Sequence, residues 1–284
     1  MSRAGQASDD AVDRPTFAPR CLCLDLEVGI DDDRIHRFGA VRADTNAQLT
    51  HKSGSLAAAL ESLDRLAEGA AFLLGHNIVA FDLPHLAAAS PGLKLLELPV
   101  VDTLRLNPLA FPRNPYHHLV KHYQDGQLKR VQVNDPLLDV GLTLELFRDQ
   151  SESLAETHRT HPDLVCAWHW LTTREAGSAG TNSFFTKVRG AVRPTDGEAH
   201  AAIERLLAGH ACMTHGEAAM ANAEALGWAF AYALAWLSVA GGNSVMPPWV
   251  RHQFPEAGAL VKRLREVACA DAGCAWCRER HDAS

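Results

Sequence analysis

"CLCLDLEVGI", Cys21 to Ile30, is an apolar run that ends in an acid, an apolar residue and a second acid. Side chains two positions apart on a strand share a face. Asp25 and Glu27 therefore project together from one face at the strand's carboxyl end. Such a pair is common in proteins. An exposed strand end, or a cap on a following helix, would account for it if nothing else in the chain answered it.

Two downstream stretches do answer it. "LLGHNIVAFDLPHL" (73–86) puts Asp82 near the start of a helix that follows a strand. "VNDPLLDVGLTLELF" (133–147) puts Asp139 at the start of another. Unpaired carboxylates repel one another, so convergence of Asp25, Glu27, Asp82 and Asp139 makes sense only around cations. Hard oxygen donors, with no histidine pair on one helix, favour Mg²⁺ or Mn²⁺ over zinc.

Outward from these motifs the chain reads as two textures. Strands are expected at 20–26, 34–44, 71–75 and from 98, with helices at 56–66, 81–89 and 139–147 and a short one at 117–123. Alternating strands and helices over about 150 residues indicate an α/β sheet of mixed strand direction. Beyond Gln150, helix-like runs at 151–158, 162–172, 197–208, 218–239 and 255–267 indicate an all-helical part, with 182–197 as a loop. The division is a polar leader at 1–19, an α/β domain at 20–150, a helical domain at 151–267 and a Cys/His segment at 268–284.

The order D-x-E, then His76-Asn77 with Phe81, Asp82 and Leu86, then an acid heading a helix, resembles the DEDD (DnaQ-like) 3′–5′ exonucleases. "VVDTLRL" (100–106) matches the D-T strand that usually follows the second motif in that family. The resemblance covers roughly Cys21–Asp149. It implies a ribonuclease H-like fold and hydrolysis of phosphodiesters at the 3′ end of single-stranded or partly duplex DNA, with RNA not excluded. It also implies that Asp25, Glu27, Asp82 and Asp139 bind two Mg²⁺ or Mn²⁺ ions, and that Val28, His76 and Asn77 lie toward substrate. His76 and Asn77 have a structural reading too, as hydrogen-bonding members of the strand–helix turn. Asp102 matches no metal position and is expected to cap or brace.

The pattern breaks at the general base. The family's histidine, five residues before the last acid, is Asn134 here; its alternative tyrosine, four before, is Asp135. An amide orients a water but takes up no proton near neutral pH. General-base catalysis typically contributes ~10²–10⁴-fold. Asp135, His117, His118 and His122 are the substitutes within reach. The expectation is an active but slowed nuclease. The alternative is a catalytically silent nuclease fold that binds nucleic acid or protein. Lys121, Lys129 and Arg130 are either a solvated face or a phosphate-contacting rim.

"CADAGCAWCRERH" (269–281) spaces Cys269, Cys274, Cys277 and His281 as a structural zinc site would. Cys21, Cys23, Cys166 and Cys212 read as core thiols. Residues 243–266 followed by this cluster resemble the region joining an exonuclease to a RecQ-like helicase in bacterial fusion proteins. That implies a helicase domain or subunit as partner, a role in DNA repair, and a chain that is the front part of something longer. No G-x-x-x-x-G-K-[ST] phosphate loop occurs in the 284 residues.

Composition limits the alternatives. A hydrophobic content of 47% supports a large core, and a formal charge of −7 provides no global basic field for nucleic acid. Cations at the acid quartet would have to offset that charge. "ALGWAFAYALAWLSVA" (225–240) falls short of the ~20 residues that span a bilayer and is expected as a buried helix. The odd cysteine count without a secretory leader points to a reducing cytoplasm.

Overall fold

In the computed structural model, residues 17–114, 135–239 and 246–281 are described, together with the backbone of 123–124 and 127–128. The first strand, β1 (Cys21–Val28), alternates between two apolar environments. Its even residues Leu22, Leu24 and Leu26 pack with Phe38, Leu60, Leu63 and Leu86. Its odd residues Cys21 and Cys23 pack with Val140 and the helices beyond. A strand buried on both faces cannot show simple polar–apolar alternation, which is why the run reads as continuously apolar. Each fully buried leucine contributes about 1.5–3 kcal/mol.

β1 pairs antiparallel with β2 (Ile35–Arg42), which pairs antiparallel with β3 (Ala47–His51). After α1 (Leu56–Ala67), the chain returns as β4 (Phe72–Gly75), parallel to β1 on its other side. Then come α2 (Asp82–Ala89), a 3-10 turn at Lys94–Glu97, and β5 (Val100–Asp102), parallel to β4. The result is a five-stranded mixed open sheet of order β3-β2-β1-β4-β5, an α/β architecture with β1 at its centre. The strand β3 was not anticipated. Its five residues follow a tight turn with Asn46 in the left-handed region.

α3 (Thr103–Ala110) leaves β5 directly, and two-residue strands β6 (Tyr123–Gln124) and β7 (Gln127–Leu128) form a small antiparallel pair. The helix expected at 117–123 falls on 117–122, outside the described residues; Tyr123 is in a strand. α4 (Pro136–Thr160) follows as one helix where two were expected. The boundary placed at 150 thus falls inside α4. Gln150 there is fully buried, and its amide donates to the Thr103 carbonyl at 2.7 Å and to Asn107 Oδ1 at 2.6 Å.

The remaining helices are α5 (Pro162–Leu171), α6 (Ala179–Arg189), α7 (Asp196–Leu207), α8 (Met213–Ala221), α9 (Ala223–Ser238), α10 (Pro248–Gln253), α11 (Pro255–Glu266) and α12 (Ala275–His281). The loop expected at 182–197 is a helix over its first half. α6 buries Phe184 and Phe185 and ends on Gly190 in the left-handed cap conformation. It starts without a side-chain cap, so the usual start signal is missing. The single helix expected at 218–239 is two, and α9 bends at Gly227, whose φ of 31° is non-helical. Buried along Trp228–Ala235, α9 is the central helix of this half. Among the described residues no helix is long and apolar enough to cross a membrane.

One apolar cluster runs from Cys21, Cys23 and Val101 through α4 and α5 to Leu264 in α11. The two halves also meet through polar contacts. The Tyr232 hydroxyl donates to the Arg105 carbonyl at 3.1 Å, and Arg105 pairs with Glu175 at 2.8 Å.

Candidate active site and metal centre

The last pairing of β1 with β4 is Cys23 with Leu74, so the carboxyl half of β1 runs on beyond its parallel neighbour. The Leu26 N–H, beyond the last β4 pairing, donates to Asp82 Oδ1 at 2.9 Å. That bond fixes Asp82, the first residue of α2, between the positions of Asp25 and Glu27. Asp82 is only 2% exposed. Burial, and next the nearby Asp25 charge, push its pKa well above the ordinary carboxylate value.

The turn that delivers Asp82 is held by Asp102. Its carboxylate accepts from the N–H groups of Asn77 at 2.9 Å, Val79 at 3.2 Å and Leu104 at 2.9 Å. Asp102 thus caps α3 and braces the β4–α2 turn, as expected for an acid with no metal position. Burial raises its pKa, and these donors work against the rise. Asn77 occupies the left-handed region (φ 65°), which its short polar side chain tolerates. The Thr103 hydroxyl donates to the Gly75 carbonyl at 3.2 Å and sits 2.9 Å from His76 Nδ1. His76 and Asn77 are therefore members of the turn's hydrogen-bond network.

Asp139 arrives from the other side. In β2, Gly39 is the register partner of Asp25. A Cβ on Gly39 would stand 2.6 Å from the Leu137 N and 2.7 Å from the Pro136 carbonyl carbon. The first turn of α4 thus rests directly on the backbone opposite Asp25, and only glycine allows it. Asp139 lies two residues past that contact and is 4% exposed. An acid in a helix's first turn is favoured by the helix dipole. Asp135 is the cap of α4, accepting from the Leu137 N–H at 3.2 Å.

Asp25 and Glu27 remain partly exposed, with Glu27 Oε2 3.9 Å from the cross-strand Arg37. Val28 ends the strand next to an irregularity in the β1–β2 register. Asp25, Glu27 and Asp82 thus meet at the carboxyl end of β1, and the helix turn that carries Asp139 is seated on the neighbouring strand. Among the described residues, the group of Cys, His, Asp or Glu side chains placed to hold a metal ion is made of cysteines, with all ligand atoms within 4.8 Å of one another. Asn134, His117, His118, His122, Lys121, Lys129 and Arg130 lie outside the described residues.

That cysteine set is Cys212, Cys269, Cys274 and Cys277, and it could hold a metal ion such as zinc. It corrects the expected ligand set in its fourth member. Cys212, read from sequence as an isolated core thiol, stands where His281 was expected. Cys212 is the N-terminal cap residue of α8, and its N–H donates to the Leu264 carbonyl of α11 at 2.8 Å. That bond carries it across 57 positions of sequence to Cys269. Nothing local to Cys212 announces this; the only signal was three clustered thiols lacking a fourth. His281 ends α12 and is not part of the set. By contrast, Cys21 and Cys23 are core thiols, as read: burial pushes the Cys21 thiol up to about 12 and Cys23 well above its ordinary value.

No protein-family model matches the chain, and no curated protein or solved structure matches it either.

Proposed function

We propose that the protein is a metal-dependent 3′–5′ exonuclease acting on single-stranded DNA or the ends of partly duplex DNA, on a ribonuclease H-like sheet. One observation carries this reading. Asp82 is hydrogen-bonded to the backbone between Asp25 and Glu27, and the helix turn that carries Asp139 is seated on the strand residue opposite Asp25. Burying Asp82 and Asp139 beside the other two acids costs stability unless cations compensate. The all-oxygen donor set suits Mg²⁺ or Mn²⁺.

Asp25, Glu27, Asp82 and Asp139 would hold two such ions, which when bound supply an acidified water and a Lewis acid at the scissile phosphate. The chain's own contribution is positioning. Asp82 is fixed by the Leu26 N–H and Asp139 by the seat of α4 on Gly39. Asp25 and Glu27 keep the exposure that a substrate end needs. Asp135 is committed to capping, and in this reading Asn134 orients the attacking water in place of the family's base. Turnover is correspondingly slow, by about 10²–10⁴-fold against an enzyme with that base. A helicase partner that frees 3′ strands suits this reading, as does a reducing cytoplasm for seven cysteines with no disulfide. In the same reading the four-thiol centre holds a structural zinc and takes no part in hydrolysis.

A second reading, a nuclease fold that binds nucleic acid or protein without cleaving, is favoured by the commitment of Asp135, a substitute base by sequence, to capping α4. A 3′-ladder assay separates the two. With 5′-labelled oligonucleotides and Mg²⁺ or Mn²⁺, the enzyme gives single-nucleotide shortening from the 3′ end that is abolished in Asp25→Ala. Retarded but intact oligonucleotide with both metals would decide for the silent fold.

A further inference from the structure

We propose that Cys212, Cys269, Cys274 and Cys277 bind one zinc ion in a closed tetrahedral site that staples α12 onto α8 and α11. The inference stands apart from the hydrolase reading, since none of its residues touches the acid end of the sheet.

The spacing of the sulfurs points to a single ion. Four thiolates at ~2.3 Å from one zinc have S···S edges of about 3.8 Å. The Cys212 and Cys274 sulfurs are 3.8 Å apart, and all four lie within 4.8 Å of one another. They are too far apart for a disulfide, which needs about 2.05 Å. A cubane iron–sulfur cluster places its irons at separate corners and so holds its cysteines farther apart than one ion does. Soft thiolates select zinc over the hard cations suited to the sheet's acids.

The backbone is shaped for the same purpose. The Asp271 carboxylate accepts from the Gly273 N–H at 2.8 Å, and its carbonyl accepts from the Cys274 N–H at 3.1 Å. This turn lifts Cys274 and Cys277 toward Cys269. The Cys269 N–H points at the Cys277 sulfur at 3.4 Å, a contact that favours a thiolate there.

The need for a staple follows from how little else holds α12. It has seven residues, of which only Cys277 is buried. An isolated helix of that length does not hold together in water. A cation–π contact joins it to α11, with Arg265 5.9 Å from the Trp276 ring, whereas the closer one, Arg280 at 4.4 Å from that ring, lies within α12 itself. With four protein ligands no position is left for water or substrate, which marks a structural site rather than a catalytic one.

The test is metal content of the untagged full chain, by elemental analysis. One zinc per chain is expected, retained in His281→Ala and lost in Cys212→Ser. Should Cys212→Ser fail to fold, X-ray absorption at the zinc edge of the unaltered protein decides. Four sulfurs and no nitrogen support the site, whereas three sulfurs and one nitrogen overturn it in favour of His281. Protein purified without metal that takes up no added zinc, or that contains iron with acid-labile sulfide, also overturns it. A zinc-loaded chain with no exonuclease activity leaves this inference intact and sinks only the other.

Discussion

The acid end of the sheet and the thiol centre each gather four potential anions, yet they are built in opposite ways. The acids stand on a five-stranded sheet and two long-range helix contacts, and the fold would be complete without any ion. Two of them stay partly exposed and two are buried. The thiols are packed together, but on short elements with little core of their own. The contrast separates two uses of metal. Where the scaffold exists first, an ion adds chemistry and its ligands cost stability. Where the ion comes first, it makes the scaffold.

The largest expected effect tests the first half of that contrast. Asp82→Asn keeps the acceptor for the Leu26 N–H but removes the charge. Under the proposed function, cleavage falls by at least ~100-fold. Stability should move the other way. The folded pKa of Asp82 is raised, so its charged form is disfavoured in the native state, and that penalty grows as the pH rises above the ordinary carboxylate range. Removing the charge should therefore stabilise the cation-free protein, by about 0.5–2 kcal/mol. Urea titration in the presence of chelator reads this directly. A variant that loses activity and stability together would mean that Asp82 is structural, and the contrast would fail.

Gly39→Val probes the same site without touching an acid. Its Cβ collides with the α4 backbone at Pro136 and Leu137. Overpacking of this kind costs ~1–3 kcal/mol, and a displacement of the α4 start carries Asp139 with it. A misplacement of about 1 Å can cost ~10²-fold in rate. The thiol centre should be unaffected, with zinc content unchanged. Cleavage at the normal rate in a folded Gly39→Val protein would remove Asp139 from the site.

Legibility followed the same division. The sheet, its mixed direction and the places of Asp25, Glu27, Asp82 and Asp139 could be read because each sits inside a short window: a strand end or a helix start. Asp102 could be read as a brace because it lies within the strand–helix window it ties together. Gly39 could not, since its constraint comes from a backbone about a hundred residues away. Cys212 was missed for the same reason, and so was the unity of α4, whose polar outer face changes texture at the buried Gln150. α6 was missed because aromatic residues and threonines, weak helix formers, carry it. Local chemistry shows in sequence; contacts made by tertiary packing do not.

A smaller effect lies in the helical half, at His169. It is fully buried, with Nε2 2.9 Å from Asn182 Oδ1 and Nδ1 3.0 Å from Arg189. The guanidinium has only donors, so Nδ1 must accept and Nε2 carries the proton. Burial, with help from Arg189 and Arg193, lowers the pKa from 6.5 to about 4. The unfolded chain thus takes up a proton before the folded one does. Stability from this group is present above pH 6.5 and is lost as the pH falls toward 4, by about 2 kcal/mol. In His169→Gln the urea midpoint should start lower at pH 7 but change less between pH 7 and 4.5. Unaltered sensitivity over that interval would assign the acid loss to other groups.

The smallest predicted change concerns Thr195, which closes a capping box at the start of α7. Its hydroxyl accepts from the Glu198 N–H at 3.3 Å, and the Glu198 carboxylate accepts from the Thr195 N–H at 2.8 Å. Thr195→Ala removes one of these bonds and should cost about 1 kcal/mol. α7 lies against α5 and α8, so it supports the element that carries Cys212. If the zinc ion organises the thiol centre, that loss is absorbed: zinc stays at one per chain and only the urea midpoint moves. If instead α7 and α8 preform the centre and the ion merely fills it, weakening α7 should also weaken zinc retention against a chelator. Measured side by side in the same variant, the urea midpoint and the zinc half-life against chelator therefore decide whether metal or fold comes first in the helical half.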